Sequence, residues 1–247
     1  MQFLFRVFKT LYGIYGLLFF IASFAIIVPC YFFVFTFLPK KQAPFLGHKI
    51  SRFWSKFVYF FIMIRVKISG MEKINPSETY VLIGNHQSQL DVPIYALACK
   101  NTVRFLAKAE LTKVPLFGYI IKKLYVTVNR EDKNDRYKSI ETMKHTLNEK
   151  ISIFLCPEGS RNRTSEPLLD FKDGAFRLAI DAQIPLAVLT IIDSKKHHSP
   201  LRPLELLPGT IKAVWETPIE TKGMTQDDVP KLKEMARQLM IKNLSKN

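Results

Sequence analysis

Residues Leu11 to Leu38 run without one charged side chain, and basic residues flank this run on both sides. A helix needs roughly 20 apolar residues to cross the hydrocarbon core of a bilayer, so this run is long enough. It is too long for the apolar core of a signal peptide, and no small-residue cleavage site follows it. The sequence therefore predicts a retained membrane helix rather than a buried core helix. Pro29 leaves open one kinked spanning helix or two shorter helices that dip into one leaflet.

A second amphipathic segment, predicted at about residues 46–64, follows the uncharged run. It places Trp54 and several phenylalanines among basic residues such as Arg52 and Lys56. Aromatic and basic anchors of this kind are typical of a helix that lies in the membrane interface. We therefore predict a membrane-anchoring helical segment over residues 1–68 and a separate domain over residues 69–247.

Charge is distributed unevenly along the chain, which has a formal net charge of +15 and no acidic residue before Glu72. Seven Lys and Arg lie between Lys40 and Lys67, more than precede the apolar run. The positive-inside rule therefore places the following domain on the cytoplasmic face of the cell membrane. On charge alone the partner is anionic lipid or nucleic acid. Because the basic residues cluster beside the apolar run and no nucleic-acid-reading motif is present, we expect a lipid bilayer and no nucleic acid.

The three cysteines, Cys30, Cys99 and Cys156, are scattered along the chain without CxxC spacing. This pattern indicates neither a disulfide framework nor a zinc knuckle. A domain that faces a reducing compartment is the corresponding expectation.

Short β-branched runs alternate with helix-like stretches after residue 65. Strands are predicted at residues 66–69, 80–83, 103–107, 124–129, 151–155, 186–192 and 211–216. Helices are predicted at residues 93–98, 116–122, 132–149, 174–183 and 228–244. The last helix has a start signal, because Thr225 and Asp228 form a capping-box pattern. The alternation favours an α/β fold, with a mixed, largely parallel central sheet flanked by helices after the N-terminal membrane-embedded helical segment.

A histidine and an aspartate five positions apart, His86 and Asp91, follow the predicted strand at residues 80–83. Active sites of open α/β sheets lie at the carboxyl ends of strands. A neutral imidazole there can take the proton of an attacking alcohol, and a carboxylate can hold the ring in the required tautomer. We expect backbone N–H groups at the following helix start to form an oxyanion site. The alternatives are a turn histidine with an N-capping aspartate and, less favoured, a zinc ligand.

A second polar string, Pro157 to Arg161, follows the predicted strand at residues 151–155. Pro157 ends the strand, Gly159 lets the chain turn, and Arg161 provides a planar cation suited to phosphate. Glu158 could hold Arg161 or bond a substrate hydroxyl. A polar strand-to-loop turn without function is the alternative.

The two strings together resemble the motifs of the glycerolipid acyltransferase family, which includes the lysophosphatidate acyltransferases. The pattern N-H-x-S-x-x-D is matched from Asn85 to Asp91, and the pattern F-P-E-G-[ST]-R is matched at residues 157–161, with Cys156 where Phe is usual. Further stretches resemble the family at residues 108–111, 115–118, 124–130 and 171–176. The fourth family block is only half present, since Val188 stands where a second proline is common. The resemblance covers about residues 75–215.

The resemblance implies a role for each matched site residue. His86 is the general base, and Asp91 is the carboxylate that orients it. Three cations, Lys108, Arg130 and Arg161, form the site for the glycerol phosphate. Glu158, Gly159 and Ser160 belong to the substrate-binding block, where Glu158 and Gly159 position the acceptor glycerol.

The reaction implied is transfer of a fatty acyl group from acyl-CoA or acyl carrier protein to the sn-2 hydroxyl of 1-acyl-glycerol-3-phosphate, a lysophospholipid acceptor. No metal and no cofactor beyond this co-substrate are expected. One alternative is an enzyme of the same family with another lysolipid acceptor. The alternative from another class is a membrane-tethered protein that binds anionic lipid without turnover.

Overall fold

The computed structural model describes residues 1–246, and it begins with two long helices packed against each other. The first, α1 (Gln2–Phe37), has 36 residues and continues through Pro29, so the alternative of two shorter helices is not what the chain forms. At 1.5 Å per residue it is about 54 Å long. Within the described residues it is the one helix long and apolar enough to cross a membrane. The second helix, α2 (Ala43–Phe61), begins slightly before the predicted interfacial segment.

Aromatic contacts join α1 and α2 as an antiparallel hairpin. Phe19 stacks on Phe61 with ring centroids 4.8 Å apart, and Phe20 lies 5.0 Å from Trp54. Nearer the turn of the hairpin, the hydroxyl groups of Tyr31 and Ser51 lie within 2.7 Å. Because α2 has 19 residues and α1 has 36, these contacts involve the part of α1 nearer the turn.

The described residues after the hairpin include one seven-stranded sheet with the order β1-β7-β6-β2-β5-β3-β4. All neighbouring strands are parallel except β6 and β7, so the predicted mixed, largely parallel sheet is confirmed. The sheet begins at residue 64, inside the segment predicted as membrane-anchoring, because the first strand pairs with the last. The strands are β1 (Ile64–Ser69), β2 (Val81–Gly84), β3 (Val103–Lys108), β4 (Tyr125–Val128), β5 (Ser152–Leu155), β6 (Leu186–Ile192) and β7 (Gly209–Trp215).

Within residues 1–246, six further α-helices connect or follow the strands. Five of them were predicted from the sequence, and the short helix α7 was not. The predicted capping box of Thr225 and Asp228 is present, although it starts a 3-10 turn that leads into the last helix. The helices are α3 (Asp91–Ala98), α4 (Phe117–Leu124), α5 (Lys133–Asn148), α6 (Gly174–Ala182), α7 (Ser194–His197) and α8 (Val229–Ser245).

Helices cover both faces of the sheet, and successive residues of the central strand β2 point to opposite sides. Leu82 packs in a core with α2 and α3, whereas Val81 and Ile83 pack in a core with α5, α6 and α8. All three side chains are completely buried, as expected for a parallel strand covered on both faces. We call α1–α4 the N-terminal layer, and α5, α6 and α8 the C-terminal layer.

Candidate active site

His86 lies just past the carboxyl end of β2, and Asp91 is the first residue of α3. The turn between them brings the two side chains together, with His86 Nδ1 2.9 Å from Asp91 Oδ2. Asp91 Oδ2 also accepts the backbone N–H groups of Gln87 and Ser88, at 2.6 and 2.7 Å. The carboxylate is completely buried, and the imidazole keeps 18% of its surface exposed. This geometry fixes the ring through Nδ1 and leaves Nε2 as the nitrogen that can meet a substrate.

Asn85 anchors the histidine motif to the neighbouring strand β6. Its side-chain amide donates to the Ile191 carbonyl oxygen at 2.8 Å and accepts the Ile191 N–H at 2.7 Å. The Tyr95 hydroxyl donates to the Asn85 carbonyl oxygen at 2.6 Å. The side-chain amide of Asn85 is fully buried, and both its oxygen and its nitrogen have hydrogen-bond partners. These bonds continue the pairing beyond the end of β2, so the backbone that carries His86 is held rigidly.

Glu158 lies behind the histidine motif and not in the cleft in front of it. One carboxylate oxygen accepts the His86 N–H and the other accepts the Leu169 N–H, each at 2.8 Å. The side chain is buried, and this burial raises the pKa of Glu158 although both amide hydrogen bonds act to lower it. Glu158 therefore supports the backbone of the motif, whereas the sequence had predicted a contact with Arg161 or with the acceptor.

The backbone N–H groups nearest His86 are already engaged. The His86 amide donates to Glu158, and the next two amides donate to Asp91. These three amides therefore already have carboxylate acceptors, and the oxyanion site expected at the start of the following helix stays a prediction.

The second motif turns directly beside the first. Gly159 has φ +73°, a conformation that favours glycine, and its N–H donates to the Cys156 carbonyl oxygen at 3.0 Å. The Asn162 N–H donates to the His86 carbonyl oxygen at 2.7 Å. This bond joins two loops that are far apart in the sequence, so the two motifs form a single site.

One cleft of about 730 Å³ opens in front of His86. The predicted site residues Lys108, Arg130, Gly159, Ser160 and Arg161 all line it. Arg163, which the sequence analysis missed, adds a fourth cation. Among residues 1–246, no carboxylate forms an ion pair with any of these four cations. Their charge is therefore available to an anionic ligand.

A family model described as Acyltransferase matches residues 65–192, which is more than half of the chain and includes both motifs. The chain belongs to this acyltransferase family.

Relatives of this acyltransferase carry a more specific name. The mouse and human proteins named 1-acyl-sn-glycerol-3-phosphate acyltransferase alpha are each 29% identical to it, over 72% and 78% of this chain. The aligned regions are 63% and 68% of those proteins, so the chain spans about two thirds of the length of the curated relatives it matches.

A solved structure shows the same fold over the whole chain. It is the 1-acyl-sn-glycerophosphate (LPA) acyltransferase PlsC from Thermotoga maritima, with a TM-score of 0.78 and 21% sequence identity. The match covers 100% of this chain and 97% of the Thermotoga chain, so it includes the α1–α2 hairpin.

The acyltransferase cleft also has an apolar half that the sequence analysis did not identify. Tyr95 stacks on Phe154 with ring centroids 4.3 Å apart, and Phe105 lies 5.5 Å from Phe154. Phe117 lies farther along the wall and contacts Phe24 of α1, with ring centroids 5.7 Å apart. The apolar half includes Val92, Tyr95, Phe105, Leu111, Phe117, Ile121, Tyr125, Phe154 and Cys156.

Proposed function

We propose that this acyltransferase moves a fatty acyl group from a thioester donor to the sn-2 hydroxyl of 1-acyl-glycerol-3-phosphate, giving phosphatidic acid. The observation that carries the proposal is one cleft that joins a histidine–aspartate pair, four unpaired cations and an aromatic wall beside α1. A lysophosphatidate has the three matching parts, namely a hydroxyl, a phosphate and an acyl chain. The names of the mouse and human relatives support the same acceptor.

The proposed chemistry is a direct transfer with His86 as general base. His86 Nε2 takes the proton of the sn-2 hydroxyl while that oxygen attacks the thioester carbonyl carbon. The tetrahedral adduct then expels the thiolate, which takes the proton back from His86. Asp91 stabilises the imidazolium formed between these two steps and keeps Nδ1 protonated throughout. The reaction balances with donor, acceptor and His86, so neither a metal nor a covalent enzyme intermediate enters the proposal.

The cations hold the acceptor phosphate in this proposal. Arg130 and Arg161 present planar guanidinium groups that can bind phosphate oxygens in pairs, whereas Lys108 acts as a point charge. Arg130 also approaches the backbone turn, because a Cβ added to Gly159 would lie 3.8 Å from its guanidinium. The glycine therefore keeps that side of the cleft open for the phosphate and for the glycerol attached to it.

The hairpin of α1 and α2 gives the enzyme access to an acceptor that is poorly soluble in water. Large apolar side chains cover the outside of α1, and Leu18 and Ile26 are two of the exposed ones. Such a surface is stable in hydrocarbon and costly in water. We therefore propose that the hairpin holds the cleft at the cytoplasmic leaflet of the membrane, where the acyl donor arrives from the aqueous side.

The test is an acylation assay with the purified full-length protein, lysophosphatidate as acceptor and labelled acyl-CoA or acyl carrier protein as donor. We expect phosphatidic acid from wild type and at least a thousandfold lower rate from His86→Ala, at the upper part of the roughly 10²–10⁴-fold range for a general base. A panel of other lysolipids serves as the control for acceptor identity. Turnover confined to another acceptor would move the assignment within the family, and no acylated product from any pair would leave only a lipid-binding role.

A further inference from the structure

A second cavity, of about 660 Å³, lies between α2 and β1, the strand at one edge of the sheet. The catalytic cleft lies toward the opposite edge, where β3 and β4 line it. The two cavities share no residue. We call the second one the basic groove, and it is lined by Arg52, Lys56, Tyr59, Phe60, Met63, Ile64, Arg65, Val66, Ile68, Met71 and Leu97.

Three cations of the groove, Arg52, Lys56 and Arg65, have no acidic partner. None of them forms an ion pair within residues 1–246, and no acidic side chain lines the groove. Three unpaired cations around one concave surface repel each other and attract an anion. The groove is therefore electrostatically complementary to a negatively charged ligand.

The remaining walls of the groove are apolar, and this decides which anion fits. Phe60 and Met63 at its surface are 77% and 60% exposed, and Val66 and Leu97 lie on its sides. Inorganic phosphate would use the cations and leave these walls in water. A phospholipid uses both parts, because its phosphate meets the cations while its chain removes apolar surface from water.

We propose that the basic groove binds one anionic diacyl phospholipid of the bilayer, at a site separate from the catalytic cleft. The phosphate lies between the three cations, and one acyl chain follows the apolar wall formed by β1 and α3. Tyr59 forms part of the groove, and its hydroxyl donates to the Leu90 carbonyl oxygen, next to Asp91. The bound lipid thus packs against the side chain that supports the start of the catalytic helix α3.

Native mass spectrometry of the detergent-solubilised full-length protein tests this site directly. The protein is titrated with dioleoyl phosphatidylglycerol, and with dioleoyl phosphatidylcholine, which is zwitterionic and has no net charge, as the comparison. We expect wild type to retain one phosphatidylglycerol in preference to phosphatidylcholine. The triple variant R52A/K56A/R65A should bind it about a hundredfold more weakly, from the loss of three charge contacts to one phosphate.

Two control variants separate the groove from general attraction and from the cleft. K40A/K41A/K49A removes three basic residues of the same region that do not line the groove, and it should retain the lipid. Arg161→Ala removes a cation of the cleft and should also retain it. The proposal is overturned if the groove variant binds like wild type, or if either control loses as much affinity. No acyl donor is present, so the outcome is independent of whether the proposed transfer reaction occurs.

Discussion

The two layers of helices that cover the sheet differ on their outer sides. The C-terminal layer carries ion pairs toward water, such as Lys144 with Asp181 at 3.1 Å and Lys233 with Asp173 at 2.7 Å. In the N-terminal layer, α1 and α2 contain no acidic residue, and their outer surface is largely apolar and aromatic. The outer side of the C-terminal layer is therefore suited to water, whereas the outer side of the N-terminal layer is suited to an apolar environment.

The difference extends to the catalytic cleft. Residues of α3 and α4 line it together with β3 and the two motif loops, and none of its lining residues comes from α5, α6 or α8. The cleft and the apolar outer surface therefore lie on one side of the sheet, and the opposite side supplies packing. Substitutions in the two layers should consequently separate loss of turnover from loss of stability.

Among substitutions in the two layers, Asp91→Asn in the N-terminal layer should reduce turnover most. An asparagine of the same size keeps the helix start but cannot stabilise the imidazolium of His86 or fix its tautomer as a carboxylate does. We expect kcat for acyl transfer to fall about a thousandfold while circular dichroism stays that of a folded protein.

Asp173→Asn is the matched control for Asp91→Asn, because it removes a carboxylate from the start of α6 in the C-terminal layer. Its partner is Lys233, and its side chain is 43% exposed. Both rates are measured under saturating donor and acceptor. If Asp91→Asn kept kcat within tenfold of wild type, or if Asp173→Asn slowed transfer as much, the separation of the two layers would be wrong.

The next largest effect is expected in stability, from truncating one large side chain in each layer. Phe176 of α6 is completely buried, so Phe176→Ala should cost about 3–5 kcal/mol of unfolding free energy. Phe53 of α2 is 66% exposed, so Phe53→Ala should hardly change unfolding in detergent but should weaken partitioning into vesicles by about 2 kcal/mol. Chemical denaturation and vesicle co-sedimentation measure the two quantities. Equal destabilisation in detergent would show that the outer face of α2 packs within the protein.

The sequence predicted the strands of the sheet well, but it did not predict which side chains hold the backbone around His86 and Asp91. The difference has a physical reason. Buried strands leave a local trace in short β-branched runs, and all seven runs became strands. The sequence did not decide whether α1 continues through Pro29. The helix does continue, because a proline removes one backbone hydrogen bond and the other bonds of the helix remain. The role of Glu158 depends on the His86 amide, 72 positions away, and that of Tyr59 depends on the Leu90 carbonyl, 31 positions away. Spacing along the chain carries no record of such contacts.

The mildest change is expected where α2 contacts the backbone at the start of α3. Tyr59→Phe keeps the buried ring and removes the hydroxyl that donates to the Leu90 carbonyl oxygen, at a cost of about 1 kcal/mol. Because this bond fixes the backbone just before Asp91, we expect kcat to fall about fivefold with KM for the acceptor nearly unchanged. Tyr137→Phe, on the exposed side of α5, should change neither parameter. If Tyr59→Phe were less stable but kept the wild-type kcat, the role of Tyr59 would be limited to core packing. The N-terminal layer would then position the cleft without affecting the rate of acyl transfer.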